Sequence, residues 1–259
     1  MSTHPVLPLP PFISSSVPKS GTHMMQQLLN GIPHVNNRIE NLQTKFFVNN
    51  PPVGFYEDHA RRLSLLQPNQ FGIGHLYYSD RYARMLEERG LKHIFLYRDP
   101  RDILVSLTYF IASKWVEHPL HPYFKTRYVT FQDRALALLQ GTPEFPATFG
   151  QYFTPFYGWL DDSRCLHVSF EQLMVTPAKR RETLLRILRF LWADAPLPAS
   201  LSAMAGSMNA RIDSSSSRTF RAGRIGAWRT EFTPRIKALF QQDAGHLVVK
   251  AGYERSTQW

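Results

Sequence analysis

Cysteine is almost absent: Cys165 is alone among the 259 residues, so no internal disulfide and no cysteine-based zinc centre can form within them. Acidic residues are also short, 20 Asp and Glu against 30 Lys and Arg, for a formal net charge of +10 and a sequence pI of about 9.9. Such a balance calls for an anionic ligand or partner; nucleic acid meets that description, and so does a multiply phosphorylated nucleotide. There is no long uncharged apolar run, and with a mean hydropathy of -0.29 a membrane span is not expected. Met1 to Pro11 is rich in proline and has no basic stretch followed by an apolar core, so residues 1–11 read as a flexible N-terminus and not as a secretory signal. With one cysteine, a reducing cytoplasmic setting is the expectation. No His-Glu-x-x-His run or carboxylate cluster accompanies the ten histidines, so no metal site is expected.

What is present is enough apolar material for a large core, 43% hydrophobic and 13% aromatic. With neither a repeat nor a linker, residues 1–259 read as a single domain. Short apolar runs alternate with helical periodicity, which predicts an α/β fold of three layers, a mainly parallel central sheet flanked by helices. Expected strands are Phe12-Ile13, Phe71 to Leu76, His93 to Arg98 and Cys165 to Phe170. Expected helices include His23 to Leu29, one capped by Asp99 with Pro100 in its first position, one from Pro177, and one from Pro234 to about Ala251. The aromatic stretch Lys45 to Tyr56, broken by Asn49-Asn50-Pro51-Pro52, reads as a loop excursion, and Glu171 to Val175 as a short turn. Asp213 to Ser217 flows into the basic, glycine-bearing run through Arg218, Arg221, Gly223 and Arg224. Residues from about 213 to 228 therefore read as a mobile segment that orders over a bound anion.

The stretch Ser16-Val17-Pro18-Lys19-Ser20-Gly21-Thr22 joins the first strand to the first helix. A strand, a tight turn with one lysine and a helix start make a phosphate grip, because backbone N–H groups and the helix dipole point at the anion. It is not a Walker A loop, which needs Gly-Lys-Ser/Thr, whereas here Lys19 precedes Gly21. His75 and Arg98 fall at the carboxyl ends of other expected strands, where ligands of parallel sheets gather. Cys165, inside an apolar strand, reads as core filler. Pairs such as Arg61-Arg62 and Arg180-Arg181 read as solvated helix faces, and His118 and His121 as hydrogen-bonded loop residues.

The lysine turn resembles the 5′-phosphosulfate loop of the sulfotransferases that use 3′-phosphoadenosine 5′-phosphosulfate, whose signature is Pro-Lys-Ser-Gly-Thr. Three further stretches are similar to that family in the same order. Arg98 and Ser106 have the spacing of its 3′-phosphate site. Val168-Ser169-Phe170-Glu171-Gln172-Leu173 is similar to its Tyr-Glu-Asp-Leu strand end. Phe220-Arg221-Ala222-Gly223-Arg224-Ile225-Gly226-Ala227-Trp228 looks like its nucleotide lid. Together these span residue 12 to about 233. The departures are Met24 where the family often has an adenine-stacking Trp, Phe170 for a tyrosine, Ala222 for a lysine, Ala227 for an aspartate, Ile73 for a lysine and Tyr77 for a proline.

The resemblance implies a P-loop-like fold and sulfuryl transfer from that donor to a hydroxyl or amine of a small-molecule acceptor, leaving 3′,5′-ADP, without a metal. It implies His75 as general base and Lys19 as the cation at the leaving oxygen. Lys19, Ser20, Gly21, Thr22, His23, Arg98, Ser106, Phe170, Arg221, Ala222 and Gly223 are implied as cofactor-binding residues. Leu201 and Met204 are candidates to support adenine. Phe46, Phe47, Phe55, Tyr56, Tyr77, Tyr109, Phe110 and Phe124 are candidate walls for a partly apolar acceptor. A nucleotide-dependent phosphotransferase and a non-catalytic polyanion-binding protein remain the alternatives. A nucleic-acid partner is not needed to account for the arginines, and the oligomeric state cannot be read from the residues.

Overall fold

Strands that are buried along nearly their whole length need cover on both faces, and that requirement organises this chain. The computed structural model describes residues 8–38, 46–49, 54–193, 196–213 and 223–259. In chain order the elements begin with β1 (Phe12–Ser16), α1 (Thr22–Leu29), β2 (Phe46–Val48), α2 (Phe55–Leu63), β3 (Phe71–His75), α3 (Asp80–Glu87) and β4 (Lys92–Tyr97). Next come α4 (Pro100–Ser113), α5 (Tyr123–Thr126), α6 (Phe131–Gln140), α7 (Phe149–Tyr157), β5 (Cys165–Ser169), α8 (Phe170–Met174) and α9 (Pro177–Leu191). The last are α10 (Leu201–Ala210), α11 (Trp228–Glu231) and α12 (Pro234–Lys250). They fall into two compact units, Met1–Tyr97 with Asp161–Ser217, and Arg98–Leu160 with Arg218–Trp259.

The first unit holds a five-stranded sheet in the order β2-β3-β1-β4-β5, parallel throughout. β1 is buried at all five positions and lies between β3 and β4, so the chain crosses over it on the way from one to the other. That arrangement leaves the carboxyl end of β1 where a parallel sheet takes its ligands. Phe12 stacks on Phe71 with centroids 5.2 Å apart, and Leu28, Ile94, Leu96, Val168, Leu184, Leu188 and Met204 share one apolar cluster. α9 turns Thr183, Leu184, Ile187, Leu188 and Leu191 inward.

The second unit is helical. Asp99 caps α4 by accepting from the Arg101 N–H at 3.0 Å, with Pro100 in the first position. Asp243 of α12 accepts from Thr148 Oγ1 at 2.6 Å and from the Gly150 N–H at 2.7 Å, fastening the start of α7. Phe149, Phe153, Phe156 and Phe240 fill the space between those helices. Among the described residues no helix is long and apolar enough to cross a membrane.

Three local expectations are corrected. Phe46–Val48 is not loop but a short edge strand on β3, and an edge needs partners on one side only, so the breaker that follows does not prevent it. Glu171 to Val175 is mostly helix, α8, because Ser169 and Gln172 form a capping box. Arg62 is not a solvated face. It is 8% exposed, its guanidinium lies 4.3 Å over the Phe47 ring, and Nη2 donates to the Phe46 carbonyl at 2.8 Å. Desolvation of the charge is offset by that carbonyl and by Asp58 at 3.5 Å.

Gly74 of β3 is where the edge strand comes close, since a β-carbon there would overlap the Phe47 carbonyl. Gly74→Ala is expected to lower the thermal midpoint by about 3–10 °C, the effect of roughly 1–3 kcal/mol of overpacking. An unchanged midpoint in a calorimetric scan would show that β2 yields instead.

Candidate active site

The turn after β1 is held at its root by Val17, whose N–H donates to the Leu96 carbonyl at 2.9 Å. Ser20 N–H closes back on the Val17 carbonyl at 3.1 Å. Lys19 and Gly21 both take left-handed backbone, φ 70° and 95°, which glycine adopts freely and lysine only when its surroundings impose it. Gly21 is also required sterically, because a β-carbon there would come within 2.8 Å of the Phe170 ring. This is what Phe170 does in the structure: its ring packs on the turn.

α1 then starts with no side-chain cap and no acidic residue in its first turn. The positive end of its dipole and the N–H groups of that turn are thus left to an incoming anion. Ser20 is fully buried, and its Oγ has no hydrogen-bond partner, a cost of about 1–3 kcal/mol unless an acceptor arrives. A phosphate-like group fits this cradle, with Lys19 as its full charge.

Ser16, which sequence reasoning passed over, ties the turn to His75. Its Oγ is 2.7 Å from Thr22 Oγ1 and 3.2 Å from His75 Nδ1. The Ser16 carbonyl also lies 2.8 Å from His75 Nδ1. A carbonyl only accepts, so Nδ1 carries the proton and the lone pair is on Nε2. Burial pushes the His75 pKa down to about 4, the Ser16 carbonyl works against that, and the charges of His23 and Lys19 add to it. The ring is therefore neutral at pH 7, with Phe46 edge-on at 4.9 Å. Asn49 holds the backbone beyond it, donating to the Tyr77 carbonyl at 3.1 Å and accepting from the Tyr77 N–H at 2.5 Å.

In the helical unit, Arg98 follows β4 directly and is 7% exposed. Its Nη2 donates to the Arg224 carbonyl at 2.7 Å and lies 3.7 Å from the Asp102 carboxylate. Tyr157 donates its hydroxyl to the Arg98 carbonyl at 2.6 Å. Asp102 accepts from the N–H groups of Gly226 at 2.7 Å and Trp228 at 3.1 Å. Burial raises its pKa, opposed by Arg98 and by those two donors. Ser106 is half-buried on α4, and Gly223 is left-handed at φ 56°. Arg221 and Ala222 lie outside the described residues, as do residues 214–220 of the segment expected to be mobile.

Several candidates do not belong to an open site. Phe47 and Phe124 have no exposed surface, so neither walls a pocket. Met204 is equally buried and sits in the core cluster, with Leu201 packed on it, so Met204 offers no face to a base. Cys165 Sγ lies 2.9 Å from His93 Nδ1, and burial raises its pKa, which leaves the thiol inert. His118 Nδ1 accepts from the Leu120 N–H at 3.1 Å, and His121 Nδ1 donates to the Ile111 carbonyl at 2.6 Å. The Asp102 role had one readable signal, an acid four residues after Arg98. Nothing in the sequence marked Ser16.

The family profile described as sulfotransferase domain matches residues 9–251. Mouse sulfotransferase SULT7A1, solved with PAP, is similar at a TM-score of 0.56 and 18% identity, over 90% of this chain and 84% of that one. Retinol dehydratase in complex with androsterone and the inactive cofactor PAP is similar at a TM-score of 0.51 and 14% identity, over 96% and 82%. The same enzyme with retinol and PAP gives 0.50 and 16%, over 92% and 82%. No curated sequence matches the chain.

Buried histidines make stability depend on pH. Burial lowers His59, His75 and His118 to about 4 and His93 to about 3. Between those values and the unfolded value of about 6.5, the unfolded chain binds more protons, so stability falls as pH drops through that window. The urea midpoint is expected to be lower at pH 5 than at pH 7.5. In His93→Gln the difference should shrink, and equal midpoints in the unsubstituted protein would contradict the assignment.

Proposed function

The chain belongs to the sulfotransferase domain family, and on that premise we propose that it uses 3′-phosphoadenosine 5′-phosphosulfate to sulfate a hydroxyl or amine of a small-molecule acceptor. The observation that carries the reading is one junction: an uncapped helix start with Lys19 and the orphan Ser20 hydroxyl, hydrogen-bonded through Ser16 to a neutral His75. That PAP is bound in the structures it is similar to supports the donor. Androsterone and retinol, named in two of those complexes, support a partly apolar acceptor. The single profile match over residues 9–251 supports taking both units as one functional domain.

The donor supplies an activated sulfuryl group, whose bond to the phosphate oxygen breaks as the acceptor oxygen or nitrogen bonds to sulfur. Nε2 of His75 takes the acceptor proton as general base; the Nδ1–H bond to the Ser16 carbonyl holds the ring in the tautomer that can do so. The Lys19 ammonium neutralises charge on the leaving oxygen, while Ser20, Gly21, Thr22 and His23 offer the cradle of N–H and hydroxyl groups. Arg98 and Ser106, with Arg221, Ala222 and Gly223, are assigned to the 3′-phosphate, and Phe170 to the turn it packs on. Lys and Arg thereby supply the positive charge that a metal would otherwise bring. The cytoplasmic setting we propose rests on the single reduced cysteine.

Transfer from labelled donor to a panel of hydroxyl and amine acceptors tests the reading. His75→Ala is expected to lose about 10²–10⁴ in kcat with 3′,5′-ADP affinity retained. Lys19→Ala is expected to lose both transfer and affinity. Ordinary turnover in His75→Ala would remove it as the base, and no transfer to any acceptor class would overturn the function.

A further inference from the structure

The start of α4 carries a second set of contacts besides those of Arg98. Arg101 is 2% exposed. Its guanidinium lies against two indoles, 4.0 Å from the Trp228 ring and 4.5 Å from the Trp259 ring, which meet edge to face at 5.2 Å. Its remaining donors are taken by Asp99 at 2.8 Å and Glu254 at 2.7 Å. Trp259 is in turn held by α12: Gln241 Nε2 donates to its carbonyl at 2.7 Å, and its ring packs on Phe240 at 6.2 Å. A planar cation shielded from water and flanked by aromatic faces is a firm anchor.

The run from Gly226 to Trp228 is thus fixed twice, its backbone N–H groups by Asp102 and the Trp228 ring by Arg101 with Trp259. Two residues earlier, the Arg224 carbonyl accepts from Arg98. We propose that Trp259 and Glu254, acting through Arg101 and Trp228, are positioning residues for the phosphate-binding Arg98 and set how tightly 3′,5′-ADP is held. This rests on the assignment of Arg98 to the 3′-phosphate. Between them Trp259 and Glu254 contact Arg101 and Trp228, through which they hold residues 224–228 where Arg98 finds its carbonyl partner. Trp259 is only half-buried, so its ring can be removed without opening the core.

The test is calorimetric titration of 3′,5′-ADP into the full chain and into Trp259→Ala, Trp259→Phe and Glu254→Gln. Trp259→Ala is expected to weaken binding about tenfold, Trp259→Phe to restore most of it, and Glu254→Gln to fall between. Donor KM should rise with the single-turnover rate at saturating donor, and its pH profile, unchanged. Amide exchange at Gly226 and Trp228, measured without nucleotide, should be faster in Trp259→Ala, which reads the positioning independently of binding. Affinity within twofold of the unsubstituted protein, or exchange unaltered, overturns the proposal. Weak binding by Phe equal to that of Ala also does so, because ring stacking would then not be the cause. Failure of the unsubstituted protein to bind 3′,5′-ADP would instead overturn the functional reading on which the proposal stands.

Discussion

Everything at the candidate site of the sheet unit hangs on the pairing of β1 between β3 and β4. Parallel pairing puts the carboxyl ends of all three strands at one edge, and side chains that are far apart in the chain meet there. Ser16 ends β1 and His75 ends β3, 59 residues apart in sequence, yet the carbonyl of one receives the Nδ1–H of the other. The same pairing brings Leu96 of β4 under the turn, where its carbonyl takes the Val17 N–H. If β1 slipped by one residue, both bonds would be lost and each of its side chains would turn to the opposite face of the sheet.

Burial then decides the protonation of the groups gathered at that edge. In water an imidazole is partly charged at neutral pH; burial, with Lys19 and His23 nearby, keeps His75 neutral. Lys19 brings a positive charge to a helix start that contributes more of the same sign. In the function we propose, a neutral base beside a concentrated positive field suits moving a proton from an acceptor while charge accumulates on an oxygen. The same low dielectric makes the Ser20 hydroxyl costly to leave without an acceptor, and so favours a ligand that brings one.

Much of the fold could be read from the residues. Strands Phe71–His75 and Cys165–Ser169 could be read as short strand-like stretches between helical patterns, and α4 could be read because Asp99-Pro100 is a capped start. Legibility failed where a contact from elsewhere overrode local composition. β2 exists because β3 offers it an edge, and Arg62 is buried because Phe47 and a carbonyl receive it. At the site, Gly21 was legible because a tight turn favours glycine, and Lys19 because one cation between a strand end and a helix start marks an anion grip. Ser16 was not, since one serine in a run of three carries no local signal; nor were Trp228 and Trp259 as partners of one arginine.

The anion-gripping turn seen in Ser16 to Thr22 was determined by sequence alone in its chemistry: one lysine, one glycine, and a helix with nothing to cap it. Adjacent positions suffice for that, because a glycine free to turn left-handed and a helix start without a capping residue are local properties, whereas the left-handed backbone of Lys19 is imposed by its surroundings. Tertiary structure decided the rest, in each unit separately. It set the tautomer and neutrality of His75 through the Ser16 carbonyl, closed Phe170 over Gly21, and fastened the Arg98 neighbourhood with residues as distant as Trp259. Those outcomes depend on burial and on hydrogen bonds between segments remote in the chain, and neither quantity exists until the strands have paired and the helices have packed.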